Sequence, residues 1–229
     1  MLATALALFL SGADVVFEQT TEVQAPGSPA GAGVKTRVYY SGRRMRLEAA
    51  GEGGPALILR LDDGRALRLD PARKLAVELD LVRLKARARD DMAMAGDLMG
   101  AHDARPRTMR LPKALTLLGY TCQGYRIAAG PTTLDVYVSE ELPVGMERFT
   151  EFLEWSGAEA SLGPIVSALR AIKGFPLETR SRVLVLGSPQ ETRTSVTRVE
   201  VRPLAPALFE APRGFRVVRE RDTEREDVP

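Results

Sequence analysis

The side chains that could carry proton transfer in this 229-residue chain begin with acidic pairs at Asp62-Asp63, Asp90-Asp91 and Glu140-Glu141. Two carboxyl groups that face each other can divide the work of general acid and general base. Neighbours in sequence do not face each other on a strand or a helix, so no pair makes such a couple by itself. Cys122 is the single cysteine, which excludes an internal disulfide and a multi-cysteine metal site. Its place in "GYTCQGYRI", where a strand begins, reads as a small core residue. His102 is the single histidine and lies in the loop "MGAHDARPR", with no second histidine to share a metal. No phosphate-binding glycine loop, serine elbow or metal-ligand cluster is present, and "GEGG" and "GAG" read as turns. These residues point away from an enzyme. No cofactor, metal site or catalytic residue is expected.

The chemistry that remains is apolar, and it is set out at a spacing of two. Val34, Thr36, Val38 and Tyr40 share a strand face, as do Met45 and Leu47, then Leu57, Leu59 and Leu61. Leu67 and Leu69 follow, then Leu75, Val77 and Leu79. This alternation predicts an antiparallel meander with one wet face and one greasy face. Ser41-Gly42, residues 51–55, Asp62-Asp63-Gly64 and Asp70 to Arg73 supply the turns. An earlier strand is expected over residues 14–23, with a flexible loop over residues 25–33.

From Asp80 to Gly100 the period changes. Leu81, Leu84, Ala88, Met92, Ala95 and Met99 recur at steps of three and four, which predicts a helix. Arg83, Lys85, Arg87 and Arg89 lie off that stripe, as a solvated face or a surface for transient contact with a membrane. Strands are expected again over 107–111, 115–118, 120–128 and 134–139. Two helices follow, one gathering Met146, Phe149, Phe152, Leu153 and Trp155, the other striped by Leu162, Ile165, Val166, Leu169 and Ile172. Gly157 and Gly174 read as their stops. Strands over 177–187 and 191–201 precede a closing segment anchored by Leu208, Phe209, Phe215 and Val217. The charged stretch from Arg219 to Pro229 reads as a disordered tail.

Composition narrows the class of partner. The chain is 45% hydrophobic and 27% charged, with net charge +2, which gives no reason to expect nucleic acid. Only five of the 32 basic residues are lysine, a bias that the arginine codons of a GC-rich genome explain better than selection for phosphate binding does. Residues 1–13 form an uncharged apolar run ending in Ser11-Gly12-Ala13, too short to span a bilayer. They fit the core of a secretory signal cut between Ala13 and Asp14, although the usual basic leader is missing. The expectation is a periplasmic or secreted, monomeric protein with a single domain over residues 14–218.

Several segments, taken in order, resemble a known family. They are "VYYSGRRMRLE", "LRLDDGRALRLDPARKLAVEL", "LLGYTCQGYRI", "LDVYVSEEL", "GFPLETR" and "LFEAPRGFRVV". Together they resemble a bacterial family of exported proteins known only as a domain of unknown function, of the 4412 type. Its members look like distant relatives of the lipoprotein carriers LolA and LolB. The family pattern has a strand ending Met45 to Glu48, a turn at Leu69 to Pro71 followed by Arg73 and Lys74, a Gly119 to Cys122 step and a closing Phe209 to Phe215. The resemblance implies an α+β fold: a strongly curved antiparallel sheet, a LolA-like half-barrel, with amphipathic helices plugging its concave face. In the carriers that concavity holds acyl chains. Residues 25–33 and a helical insertion near 80–105 depart from the pattern.

The expected function is binding or carriage of a lipid, an acyl chain or a lipid-modified partner. The candidate lining is Phe17, Val38, Tyr40, Met45, Leu47, Leu59 and Leu69 from the sheet, with Met92, Phe149, Phe152 and Trp155 from the helices. The alternative is an envelope interaction module whose helices stay packed over a closed core. An apolar void between the sheet and residues 146–172 would separate the two.

Overall fold

A computed structural model describes residues 13–24, 33–49, 51, 53–87, 90, 105–155, 158–185 and 188–220. The first half is the expected meander: β1 (Val15–Gln24), β2 (Val34–Ser41), β3 (Arg44–Ala49), β4 (Ala56–Arg60), β5 (Arg65–Asp70) and β6 (Leu75–Asp80). Asp80 ends β6 and starts a helix, α1, over residues 81–87, because its Oδ1 accepts the Val82 and Arg83 amide protons at 2.9 and 3.2 Å. Leu81 is fully buried and Leu84 packs against the same core, as the stripe required. Ala88, Met92, Ala95 and Met99 lie outside the described residues, as do His102 and the Gly157 stop.

The second half contains β7 (Arg107–Arg110), β8 (Leu115–Leu117), β9 (Tyr120–Ala129) and β10 (Thr132–Ser139). The helices α2 (Met146–Trp155) and α3 (Ala158–Leu169) come next. The strands β11 (Phe175–Val185) and β12 (Ser188–Val201), a short 3-10 turn (Pro206–Phe209) and β13 (Arg216–Arg219) complete the described chain. The strands run in the order β13-β6-β5-β4-β3-β2-β1-β12-β11-β10-β9-β7, with β8 paired to β9. Every pairing is antiparallel except β13 with β6. The sheet is open rather than closed, since its end strands do not pair with each other. The register shifts opposite Glu18/Gln19 and Tyr137/Val138 leave Thr197 of β12 and Leu177 of β11 as extra residues, bulges that bend the strands carrying them.

The sequence pattern misplaced one face of the meander. The four-residue turn at 61–64 pairs Arg60 with Arg65, so Leu59 stands opposite Ala66, and Ala56 opposite Leu69. Leu67 and Leu69 therefore point away from Leu57 and Leu59, and the next four-residue turn restores Leu75, Val77 and Leu79 to the first face. The meander is thus greasy on both sides. On the second side Val16, Tyr39, Ile58, Leu67 and Leu69 pack under Leu204 and Phe209 of the closing segment. Arg46 donates to the Leu208 carbonyl at 3.1 Å, and Arg60 pairs with Glu210 at 2.8 Å, fixing that segment in place.

Of the expected anchors, Phe209 is fully buried and Leu208 and Phe215 pack beside it. Val217 is instead 51% exposed. Parallel pairing sets Val218 beside Val77, so Val218 is the one that reaches the core of the first face. Of the stretch expected as a tail, Arg219 instead closes β13 and Glu220 pairs with Arg87 at 2.8 Å, while residues 221–229 lie outside the described residues.

Candidate ligand-binding cavity

Strand registers determine which side chains share the helix-covered face. One row across it is Val201, Val15, Tyr40, Met45, Leu59, Ala66 and Leu79. The next is Val199, Phe17, Val38, Leu47 and Leu57. Beyond the bulge at Thr197 of β12, opposite Glu18 and Gln19, the rows change character: Val196, Gln19, Thr36 and Ala49, then Val136, Thr179, Thr194, Thr21 and Val34. The face therefore grades along its strands from apolar to hydroxyl-bearing.

Helices α2 and α3 lie over this face and leave a cavity of about 450 Å³. Leu47 of β3 and Leu134 of β10 both line it. Those strands are five positions apart, about 24 Å in a flat sheet, so the sheet curls around the space. Aromatic rings build the apolar end. Phe17 stacks on Phe175 with centroids 4.5 Å apart, and the Tyr40 ring meets both edge-on at 5.9 and 5.8 Å. Phe149 of α2 contacts Phe175 edge-on at 6.2 Å, tying the lid to the floor. Burial pushes the Tyr40 hydroxyl well above its ordinary range, so it stays neutral.

Phe17, Val38, Tyr40, Met45, Leu47, Phe149 and Phe152 all line this cavity. Leu59 sits just beyond it, in the same core, beside Tyr40, Met45 and Phe152. Trp155 packs on that core at its margin, with Lys85 Nζ 5.4 Å from its ring centroid. Leu69 is on the opposite face, for the parity reason given above, and Met92 lies outside the described residues. The sequence reading missed Phe175, because it began that strand two residues late, at Leu177. It also missed the hydroxyl end, although Thr179 and Ser181 on β11 and Thr192 and Thr194 on β12 alternate at the period of two that would have placed them.

A larger concavity, about 720 Å³, lies on the other side of the same strands and is walled by charge. Its row runs Arg126, Asp135, Arg180, Arg193 and Glu22. Arg126 grips Asp135 with two bonds of 2.6 Å, and Arg182 pairs with Glu191 at 3.6 Å. Buried Glu178 accepts from Arg180 Nε and Arg193 Nη2, each at 2.7 Å. These charges satisfy one another, which makes this surface a cross-strand ion ladder rather than a receptor.

Burial alone would raise the Glu178 carboxyl, but the hydrogen bonds from Arg193 and Arg180 outweigh it and hold the group below the usual carboxylate range. A pKa depressed by folding stabilises the protein above the unfolded value and stops doing so as pH falls through the folded one. Glu178→Gln is therefore expected to cost about 1–2 kcal/mol in urea unfolding at pH 7. The deficit should shrink as pH drops into the acid range, and a deficit independent of pH would contradict this account.

Among the described residues no three His, Cys, Asp or Glu side chains gather as a metal site, and no helix is long and apolar enough to cross a membrane. Cys122 is fully buried, its Sγ donating to the Tyr120 carbonyl at 3.6 Å, and burial pushes its thiol pKa up.

The segments that carry the family pattern, from Met45–Glu48 to Phe209–Phe215, fall inside a match over residues 28–215 to the family described as "Domain of unknown function (DUF4412)". The chain belongs to that family. No curated protein matches it. Among solved structures, the DUF4412 chain is similar to a LolA superfamily protein from Nitrosomonas europaea at 10% identity, over 87% of this chain and 90% of that one, with a TM-score of 0.36. MucB in complex with MucA(peri) is similar at 11% identity, over 90% and 57% of the two chains, with a TM-score of 0.43. PNGF-II is similar at 9% identity and a TM-score of 0.42; the match takes in 93% of this chain but about a third of PNGF-II, 32%. TM-scores at this level carry no function across.

Proposed function

We propose that this DUF4412 protein is a non-enzymatic binding or carrier protein for a hydrophobic ligand: a lipid, an acyl chain or a lipid-modified partner. The observation that carries the reading is the cavity of about 450 Å³ between the curved sheet and α2–α3, with phenylalanine, leucine, isoleucine and valine on its walls. Small-molecule sites are concave, mostly apolar and roughly 300–1,000 Å³ in volume. Burying ten methylenes there would contribute about 8 kcal/mol before ordering costs. A closed-core interaction module would have no use for such a space.

Opening the lid parts Met146, Ile165 and Leu169 from the sheet core, contacts that a bound tail would replace, while the polar latch at its edge is weak. Its edge is latched by Arg43–Glu151 at 3.1 Å and Lys85–Glu154 at 3.9 Å, and exposed ion pairs of this kind contribute about 0–1 kcal/mol each. Helix α3 is already broken at Leu162, where φ is −118° and ψ is 17°, ahead of Pro164. Residues 1–13 read as an export signal, which would place the carrier in the cell envelope, where acyl chains must cross water.

Native mass spectrometry of residues 14–229 purified from a bacterial periplasm, followed by organic extraction, tests the reading. A co-purified lipid at fixed stoichiometry is the expected result. A clean apo mass with no uptake of added phospholipid or fluorescent fatty acid would overturn it in favour of the closed-core module.

A further inference from the structure

The gradation of the cavity says more about its ligand than its apolarity does. One end is aromatic. The other presents Thr21, Thr36, Thr179, Ser181 and Thr194, with the Gln19 amide among them. The described walls contain no lysine or arginine, and their one carboxylate, Glu178, is committed to Arg180 and Arg193. A carboxylate or phosphate drawn in here would lose its water with no cation in exchange. A hydroxyl or amide would find partners. Thr21 and Thr194 already bond each other at 3.0 Å, whereas the buried Oγ1 of Thr36 has no hydrogen-bond partner among the described residues. That oxygen has almost no accessible surface as placed, but Thr36 lines the cavity, and a turn about its χ1 presents the hydroxyl to a polar ligand group and ends its isolation.

We infer that the cavity selects a single-chain amphiphile with an uncharged, hydrogen-bonding head, bound head to Thr36 and tail toward Phe17 and Phe175. The orientation follows from the sheet: the hydroxyl rows end in Val34 and Val23, 62% and 47% exposed, so the polar end lies toward solvent and the aromatic end toward the core. This rests on the ligand reading above and adds the class of ligand.

The test is calorimetric titration of the full chain at pH 8 with 1-monopalmitoylglycerol and with palmitate, which share a tail and differ in head charge. Monopalmitoylglycerol should bind at least ten-fold tighter. Thr36→Val, which keeps the shape and removes the hydroxyl, should cut that preference at least five-fold, and Thr36→Ser should retain it. Equal or tighter binding of palmitate overturns the inference while leaving the carrier reading intact, and so does a preference that Thr36→Val leaves unchanged. If neither amphiphile binds, the carrier reading falls and takes this inference with it.

Discussion

Gly174→Ala is expected to destabilise the fold by about 3–5 kcal/mol and to lower Tm by roughly 10 °C. Gly174 sits at φ +95°, where the chain leaves α3 and enters β11. An L side chain there pays a backbone cost of about 1–2 kcal/mol. The larger part is steric. A Cβ on Gly174 would lie 2.5 Å from the Ser139 carbonyl oxygen and 2.8 Å from its carbon, and backbone atoms already paired in the sheet cannot step aside as a flexible side chain can. Relief requires moving the start of β11, which carries Phe175 off its stack with Phe17 and loosens the floor of the cavity. Gly42→Ala is the control: φ is +55° there, but nothing lies within 4 Å of the added carbon, so only the backbone cost of about 1–2 kcal/mol applies. Urea unfolding of both variants decides the point. Equal losses would show that the close approach at Ser139 does not hold this junction.

The contrast between those two glycines illustrates what a sequence conveys about this fold. Both read as punctuation, and nothing in the chain text separates an open turn from one pressed against a neighbouring strand, because Ser139 is 35 positions away. Features governed by near neighbours were legible. The alternation from Val34 to Leu79 appears as strands β2 to β6, and Asp80 marks the start of α1. Features governed by register were not. Leu69 looks like Leu59 in sequence, but a four-residue turn between them reverses the face, so Leu59 packs in the core beside the cavity and Leu69 packs under Phe209. Val217 and Val218 are equally apolar, and only the parallel pairing with β6 decides which is buried. For the same reason the hydroxyl end of the cavity escaped notice. Its threonines come from β1, β2, β11 and β12, and their meeting depends on β12 returning from the far end of the chain to pair with β1.

Filling the cavity should separate binding from stability. The double substitution Leu47→Phe with Val196→Phe adds two rings to the sheet side of the wall, both at half-buried positions that line the space and border the core. In a fully packed interior, added bulk forces strained rotamers and costs about 1–3 kcal/mol per site. In an existing void it finds room and supplies the dispersion contacts the walls lack. The expected outcome is an unchanged or raised Tm together with a loss of acyl-chain affinity of roughly two orders of magnitude. That loss corresponds to displacing about four methylenes at about 0.8 kcal/mol each. The positions test different parts of the ligand: Leu47 borders the aromatic end, where the tail would lie, and Val196 stands in the row of Gln19 and Thr36, where the head would begin. Leu47 stands in the row next to Thr36, about 7 Å along the strands, so Leu47→Phe alone should weaken every chain longer than about five carbons, and Val196→Phe alone should weaken all lengths alike. A double variant that unfolds, or one that binds as the parent does, contradicts a ligand-sized space at this site.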